Sequence, residues 1–156
     1  AMREVNQKFD IVITTNSGYP LDMNLYQTIK GISAASQIVK NNGTIICASE
    51  CSDGLPDHGE YKKMLTSGKS PSELLNLIKN NTHEKQDQWQ VQIQAQIMMK
   101  CDIYLKSDYL TDAEIKKAHM IPVRNISTKV KELDFLHPES NICVLPEGPQ
   151  TIPILV

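Results

Sequence analysis

Residues 9–30, FDIVITTNSGYPLDMNLYQTIK, decide the fold of this chain. Residues 9–14 form a short apolar run rich in Ile and Val, which predicts a buried strand. Residues 15–22 are dense in turn-forming residues and predict a loop. A buried strand that runs directly into a loop is the usual opening of an α/β unit.

The helix predicted after this loop is amphipathic. Between residues 23 and 40, apolar side chains fall on one stripe at about 100° per residue, at Leu25, Ile29, Ile32 and Val39. We expect Asp22 to be the N-cap and residues 41–43 (NNG) to end the helix. Residues 44–48 (TIICA) predict the next strand. A strand–helix–strand unit implies a parallel pair with a right-handed connection.

The rest of the chain continues this alternation. Further strands are predicted at residues 102–106, 120–124 and 141–145, and helices at 60–66, 70–80 and 127–136. Capping boxes at Ser70–Glu73 and Thr111–Glu114 indicate helix starts. We therefore expect an α/β fold with an open, mostly parallel sheet of about five strands and helices packed on it, a Rossmann-like three-layer arrangement, in a single domain over residues 1–156.

Residues 88–97 (QWQVQIQAQI) give two conflicting signals. Polar and apolar residues alternate strictly, and a period of two is typical of a strand. Gln, Met and Ala are good helix formers, however, and no turn signal interrupts residues 82–100. That run is too long for an ordinary strand. We predict a helix.

Composition excludes several classes of protein. The 156 residues carry 16 basic and 18 acidic side chains, a net charge of −2, so there is no basic field to hold nucleic acid. No apolar run is long enough to cross a bilayer, and the N-terminal residues do not resemble a signal peptide. We expect a cytoplasmic protein that binds neither nucleic acid nor membranes. The four cysteines and four histidines are scattered, so we expect no metal site within this chain.

The residues alone leave the function open. The loop at residues 15–20 offers backbone N–H groups, hydroxyls and a helix N-terminus, which favour an anionic group, but the same residues are typical of a tight turn. Gln27 and Lys30 lie three positions apart on the polar face of the helix and project side by side. They suit a substrate carboxylate and hydroxyl, or a face in contact with water only. Trp89 is either a core anchor or a lid over a flat ligand.

Residues 9–30 resemble the C-terminal domain of the nickel-dependent lactate racemase family. The family pattern is a strand, a Gly-Tyr-Pro-x-Asp loop and a helix with Asn-Leu-Tyr-Gln-x-x-Lys. This chain matches it at Gly18, Tyr19, Pro20, Asp22, Asn24, Leu25, Tyr26, Gln27 and Lys30. Residues 43–54, 89–92, 145–149 and 152–153 also match, so the resemblance covers nearly the whole chain in order.

The resemblance implies a function. Family members are two-domain enzymes that interconvert the stereoisomers of a 2-hydroxy acid by hydride transfer to and from a nickel-pincer nucleotide. Their catalytic histidines and the lysine that tethers the cofactor belong to an N-terminal domain, which this chain lacks. The resemblance thus implies a C-terminal, substrate-cleft domain of an isomerase, inactive in isolation, whose partners are the N-terminal domain of the same protein and a 2-hydroxy acid.

The resemblance also implies site residues. Gln27 and Lys30 would orient substrate, with Lys30 on the carboxylate. Gly18, Tyr19, Tyr26 and Trp89 would line the cofactor side of the cleft. The alternative is a non-catalytic α/β module that binds a nucleotide or a small anion at the loop of residues 15–20.

Overall fold

The computed structural model describes residues 1–156. The strands are β1 Met2–Val5, β2 Phe9–Thr15, β3 Val39–Ala48, β4 Asp102–Lys106, β5 Ile121–Pro122, β6 Ile142–Leu145 and β7 Ile152–Leu155. The helices are α1 Leu25–Ser36, α2 Tyr61–Leu65, α3 Pro71–Lys79, α4 Gln88–Lys100, α5 Asp112–Lys117 and α6 Ile126–Leu136, with a short 3-10 helix at Gly148–Gln150. None of the helices combines the length and the apolar character needed to cross a membrane.

The predicted α/β fold is confirmed. Five parallel strands form one sheet in the order β5-β4-β3-β2-β6. Alternate residues of each strand face opposite sides, so Val12 and Ile45 lie in the main core with α1 and α4, while Ile11 and Ile46 lie in a second cluster with α6. The sheet therefore has helices on both faces, which is the three-layer arrangement expected from the sequence.

The two ends of the chain form a separate parallel pair, β1 with β7. Neither strand is predicted from its sequence. Both are short, and most of their side chains are exposed, so neither carries the buried apolar run that identifies an inner strand.

The order of the strands reverses at β2, because β3, β4 and β5 lie on one side of it and β6 on the other. Ligands of open α/β sheets usually bind in the crevice at this point, outside the carboxyl ends of the strands. Here the chain itself closes the crevice: Asn16 forms an antiparallel bridge with Glu147, and the Thr14 hydroxyl donates to the carbonyl of Leu145 at 2.9 Å. A ligand at this edge must therefore bind to one side of the reversal.

Three predicted boundaries are wrong. The N-cap of α1 is Asn24 rather than Asp22, because Asp22 is buried and accepts the backbone N–H of Glu50 instead. The helix ends at Ser36, and residues 41–43 belong to β3, which begins at Val39 and pairs with β2 through an irregular register. The strand predicted at 120–124 is reduced to Ile121–Pro122, since Pro122 has no N–H to extend the ladder.

Residues 88–97, whose sequence signals conflict, are helical, as predicted. The helix begins at Gln88 and does not extend back to residue 82. The alternating pattern is misleading because two of its glutamines, Gln90 and Gln94, lie one helical turn apart and are buried with hydrogen bonds. The buried face of α4 is therefore partly polar, which breaks the simple relation between hydropathy and burial.

Candidate functional site

The loop between β2 and α1 is held by its own backbone and by Asn16. Ser17 and Gly18 adopt positive φ angles of 64° and 74°, and the Tyr19–Pro20 peptide is cis. The Gly18 carbonyl accepts the N–H groups of Leu21 and Asp22, at 2.8 and 3.2 Å. The buried side chain of Asn16 donates to the Leu21 carbonyl and accepts the Gly31 N–H at 3.0 Å, so it joins this loop to α1.

Two of the first three N–H groups of α1 are already bonded within the protein. The N–H of Gln27 donates to Asn24 Oδ1 at 3.0 Å, and the N–H of Leu25 donates to the Gly54 carbonyl at 3.1 Å. These donors are the ones that a bound anion would need. The geometry therefore does not favour the binding of a small anion between the loop at residues 15–20 and the start of α1.

Helix α1 passes extremely close to the end of β2. A Cβ at Gly31 would lie 2.8 Å from both Asn16 Oδ1 and the Thr15 carbonyl oxygen, and a Cβ at Gly148 would lie 2.8 Å from the Gly31 Cα. Contacts this short leave no room for a side chain at either position. Because both residues are glycine, α1 can pack directly against the loop that follows β2.

Gln27 and Lys30 lie together on the surface of α1. The Lys30 Nζ donates to Gln27 Oε1 at 2.6 Å, with Lys30 exposed and Gln27 half-buried. At about 100° per residue, positions follow one another around the helix in the order Gly31, Gln27, Lys30, Tyr26. Because Gly31 adjoins Asn16 and Tyr26 adjoins Trp89, the amide–ammonium pair lies between the loop and an aromatic surface.

That aromatic surface consists of Tyr26 and Trp89. Their rings meet edge to face with centroids 6.2 Å apart, and Tyr26 also meets the buried ring of Tyr61 at 5.3 Å. Burial, and then the nearby Asp87 carboxylate, raise the pKa of Tyr26, so it is a neutral phenol at physiological pH. Trp89 remains 54% exposed, so one part of the indole is free to contact another molecule.

Gly18 and Tyr19 line a different space from Gln27 and Lys30. They border a cavity of about 420 Å³ at the carboxyl ends of β2, β3 and β4, together with Thr15, Asp22, Ala48, Ser49, Glu50, Lys106 and Asp108. Acidic groups outnumber basic ones there, and Lys106 is paired with Asp108. The structure thus joins Gln27 with Lys30 and Tyr26 with Trp89, but it leaves Gly18 and Tyr19 on a neighbouring, acidic surface.

A larger cavity, of about 650 Å³, lies at the opposite edge of the sheet. It is lined by residues near the start of β2, the start of β3 and the end of α6, among them Asp10, Lys40 and His137. None of the sequence-predicted site residues borders it. Size alone is therefore a poor guide to the candidate site in this protein.

The chain offers no metal site and no activated thiol. No group of three or more His, Cys, Asp or Glu side chains is arranged to hold a metal ion. Burial raises the pKa of all four thiols, that of Cys101 to about 11. The thiols are protonated at neutral pH and are not nucleophiles.

Sequence reasoning missed the polar groups buried beneath α1. The Thr28 hydroxyl lies 2.6 Å from Ser49 Oγ and 3.4 Å from Cys51 Sγ, while Asp22 Oδ1 is buried with no hydrogen-bond partner. Thr28 stands beside Ile29 on the buried face, and nothing in its spacing distinguishes a buried hydroxyl from an exposed one. The position of Asp22 in the Gly-Tyr-Pro-x-Asp loop was the only available signal.

Comparison with known proteins shows the family of this chain. The family model described as the lactate racemase C-terminal domain matches residues 5–153. The chain belongs to this family. Among curated relatives of the family, it is 35% identical over 146 residues to the lactate racemase of Thermoanaerobacterium thermosaccharolyticum and 33% identical over 142 residues to that of Lactiplantibacillus plantarum. These alignments cover 92% and 89% of this chain, but only 34% and 33% of the relatives. The chain thus spans about a third of their length.

Two solved structures are similar to the fold of this chain. The lactate racemase apoprotein from T. thermosaccharolyticum superposes with a TM-score of 0.86 at 32% identity, over 96% of this chain and 36% of that one. A Thermotoga maritima protein of known crystal structure superposes with a TM-score of 0.57 at 11% identity, over 99% of this chain and 39% of that one. The second similarity shows the fold alone.

Proposed function

We propose that this chain is the C-terminal, substrate-cleft domain of a two-domain isomerase that interconverts the stereoisomers of a 2-hydroxy acid such as lactate. The observation that carries the proposal is the exposed Lys30–Gln27 pair, which lies between the Asn16 junction and the Tyr26–Trp89 surface. Membership of the lactate racemase family supports it.

Lys30 and Gln27 suit the two polar groups of a 2-hydroxy acid. The Lys30 ammonium is a compact positive charge that pairs with the carboxylate. Gln27 has both an amide donor and a carbonyl acceptor, so it can bind a hydroxyl or the carbonyl of the oxidised form. Lys30 Nζ and Gln27 Oε1 are 2.6 Å apart. The two side chains can therefore bind the carboxylate and the hydroxyl of the substrate, which are attached to adjacent carbon atoms. Both side chains orient the substrate rather than transfer a proton.

Tyr26 and Trp89 would form the wall of the cleft nearest the cofactor. The half-exposed indole presents a flat face suited to stacking on an aromatic ring such as a pyridinium. When bound, a nickel-pincer nucleotide would supply the hydride acceptor and donor. This chain has no metal-ligand cluster, so the nickel would be held by other parts of the protein. Gly18 and Tyr19 would approach the cofactor from the neighbouring acidic cavity rather than from this wall.

The other two thirds of the relatives' length would supply the cofactor and the proton-transfer groups. The 156-residue chain would then be inactive in isolation, because it orients one side of a substrate without holding the reactive group. Closure of an N-terminal domain over α1 would exclude water from the Lys30–carboxylate pair and strengthen it.

The test is an enantiomer assay. A longer protein that carries this chain after a racemase N-terminal domain and the loaded cofactor should convert either enantiomer of lactate to the racemate. The 156-residue chain should do so with neither. A protein that holds the cofactor yet racemises no 2-hydroxy acid would contradict the proposal. Tight binding of a nucleotide to the isolated chain would favour the alternative binding module.

A further inference from the structure

The alternating glutamines of α4 are not equivalent. Gln88, Gln92 and Gln96 face outward or lie partly exposed, whereas Gln90 is 1% and Gln94 0% exposed. An amide buried in an apolar core costs free energy unless its polar atoms are hydrogen bonded. The two buried amides therefore need hydrogen-bond partners, and two of these partners, the Tyr26 carbonyl and the Tyr61 hydroxyl, belong to residues whose rings meet at the candidate site.

Gln90 ties α4 to the first turn of α1. Its Nε2 donates to the carbonyl oxygen of Tyr26 at 2.7 Å. In an α-helix this carbonyl also receives the N–H of the residue four positions later, which is Lys30. The Gln90 amide is thus bonded to the same helical turn that carries Gln27 and Lys30.

Gln94 supports the same contact from below. Its Oε1 accepts the Tyr61 hydroxyl at 2.5 Å, and its Nε2 donates to the Ala118 carbonyl at 3.0 Å. The Tyr61 ring, held in this way, packs edge to face on Tyr26. Tyr26 is therefore fixed at its carbonyl by Gln90 and at its ring by Tyr61.

Trp89 depends on this attachment. It lies in the first turn of α4, where Asp87 makes no side-chain capping bond and the preceding residues 81–86 are exposed. Its ring meets the Tyr26 ring edge to face. The next residue, Gln90, gives this turn a bond to α1 through a buried side chain.

We infer that Gln90 is a positioning residue, whose bond to the Tyr26 carbonyl sets the place of the Trp89 ring relative to Lys30. The effect of this residue on catalysis rests on the proposed function. Its effect on the Trp89 ring does not, and the two are tested separately.

The structural arm uses fluorescence, because Trp89 is the only tryptophan in the chain. Gln90→Leu removes the donor at similar volume, and Gln92→Leu makes the same change at an exposed position of the same helix. With folding checked by far-UV circular dichroism, Gln90→Leu should shift Trp89 emission to the red and increase its quenching by acrylamide. Gln92→Leu should leave both unchanged. Unchanged emission and quenching in folded Gln90→Leu would overturn the inference.

Gln90→Glu keeps the inference testable if the leucine variant does not fold. A protonated carboxyl group donates to the Tyr26 carbonyl and an ionised one repels it, so Trp89 emission should follow one reversible titration. Burial should place that titration above the ordinary range of Glu. The parent chain should show no transition over the same pH range. If Trp89 emission in Gln90→Glu did not change with pH, the positioning role of Gln90 would be contradicted.

The catalytic arm is a double-mutant cycle in the longer, cofactor-loaded protein. Gln90→Leu should lower kcat/KM roughly tenfold, as a small misplacement of a cleft residue does. In a Trp89→Ala background the same substitution should cost nothing further, because the group it positions is gone. Equal losses in both backgrounds would mean that Gln90 acts only on stability. If the parent has no activity but Trp89 emission responds as expected, the proposed function fails and the positioning role stands.

Discussion

The Nζ of Lys30 lies 2.6 Å from Oε1 of Gln27, one helical turn away on the exposed side of α1. An ammonium group held by a neutral amide keeps its full charge for a ligand, whereas one held by a carboxylate does not. The neutrality of Gln27 is therefore the feature that leaves Lys30 available to a substrate carboxylate.

Gln27→Glu should raise KM for a 2-hydroxy acid by at least about tenfold, since a carboxylate at residue 27 would pair with Lys30 and repel the substrate. Stability should change by less than about 0.5 kcal/mol, because the new pair is exposed. Steady-state kinetics of the longer protein and urea unfolding of the chain measure the two effects. Gln37→Glu, an exposed change at the end of α1, is the control. An unchanged KM would separate Gln27 from substrate binding.

Gly31→Ala should destabilise the chain by about 1–3 kcal/mol. The new Cβ would lie 2.8 Å from the Thr15 carbonyl, which is backbone and cannot rotate away. Urea unfolding measures the loss, and Ser33→Ala on the same helix should change stability little. If Gly31→Ala and Ser33→Ala had the same midpoint, the close contact between α1 and β2 would be in doubt.

Asn24→Ala should cost about 1 kcal/mol, because it removes the acceptor for the Gln27 N–H at the start of α1. Asn24→Asp should retain most of the stability, since a carboxylate accepts the same bond and suits the positive end of the helix. Chemical denaturation distinguishes the two. Equal losses would show that the cap is not what stabilises this helix start.

Stability should fall as pH rises above about 8.5, where free thiols begin to ionise. Burial is the main reason that the pKa of Cys47, Cys101 and Tyr61 is raised in the folded chain. The unfolded chain therefore binds fewer protons than the folded chain over this range, so the free energy of unfolding decreases with pH. At pH values below the pKa values of these groups in the unfolded chain, their contribution to the free energy of unfolding is fully present.

Urea midpoints measured from neutral pH to about pH 10 test this dependence. Cys101→Ala has one raised pKa fewer, so its alkaline slope should be shallower than that of the parent. The midpoints of each protein are compared with its own midpoint at neutral pH. This comparison removes the loss of stability that Cys101→Ala causes by removing packing contacts. Identical slopes would contradict the assignment for Cys101.

The sequence was sufficient for the fold because burial and hydropathy agree in the central strands. β2 and β4 were predicted within a residue, since their apolar runs face the core on both sides of the sheet. Agreement failed where polar side chains are buried. Asp22 was predicted as a helix cap and is a buried acceptor for Glu50. Gln90 is one of the polar residues of the alternating run and is a buried donor.

The candidate site was predictable only in part. The spacing of Gln27 and Lys30 predicted that they project together, and they do. Their position between the loop after β2 and the Tyr26–Trp89 surface depends on how closely α1 approaches β2, and on a bond from α4, a helix more than fifty residues away in sequence. Contacts of that kind have no local pattern, so the sequence left the pair equally consistent with a face in contact with water only.

The most direct test of the account compares Lys30→Ala with Lys131→Ala, which removes an exposed lysine on α6 across the sheet. The measurement is kcat/KM for each enantiomer of lactate in the longer, cofactor-loaded protein. A charge-assisted contact contributes about 1.5–3 kcal/mol, so Lys30→Ala should lower kcat/KM roughly ten- to a hundredfold, and Lys131→Ala should not. Near-parental turnover by Lys30→Ala would contradict the role of this helix face in binding substrate.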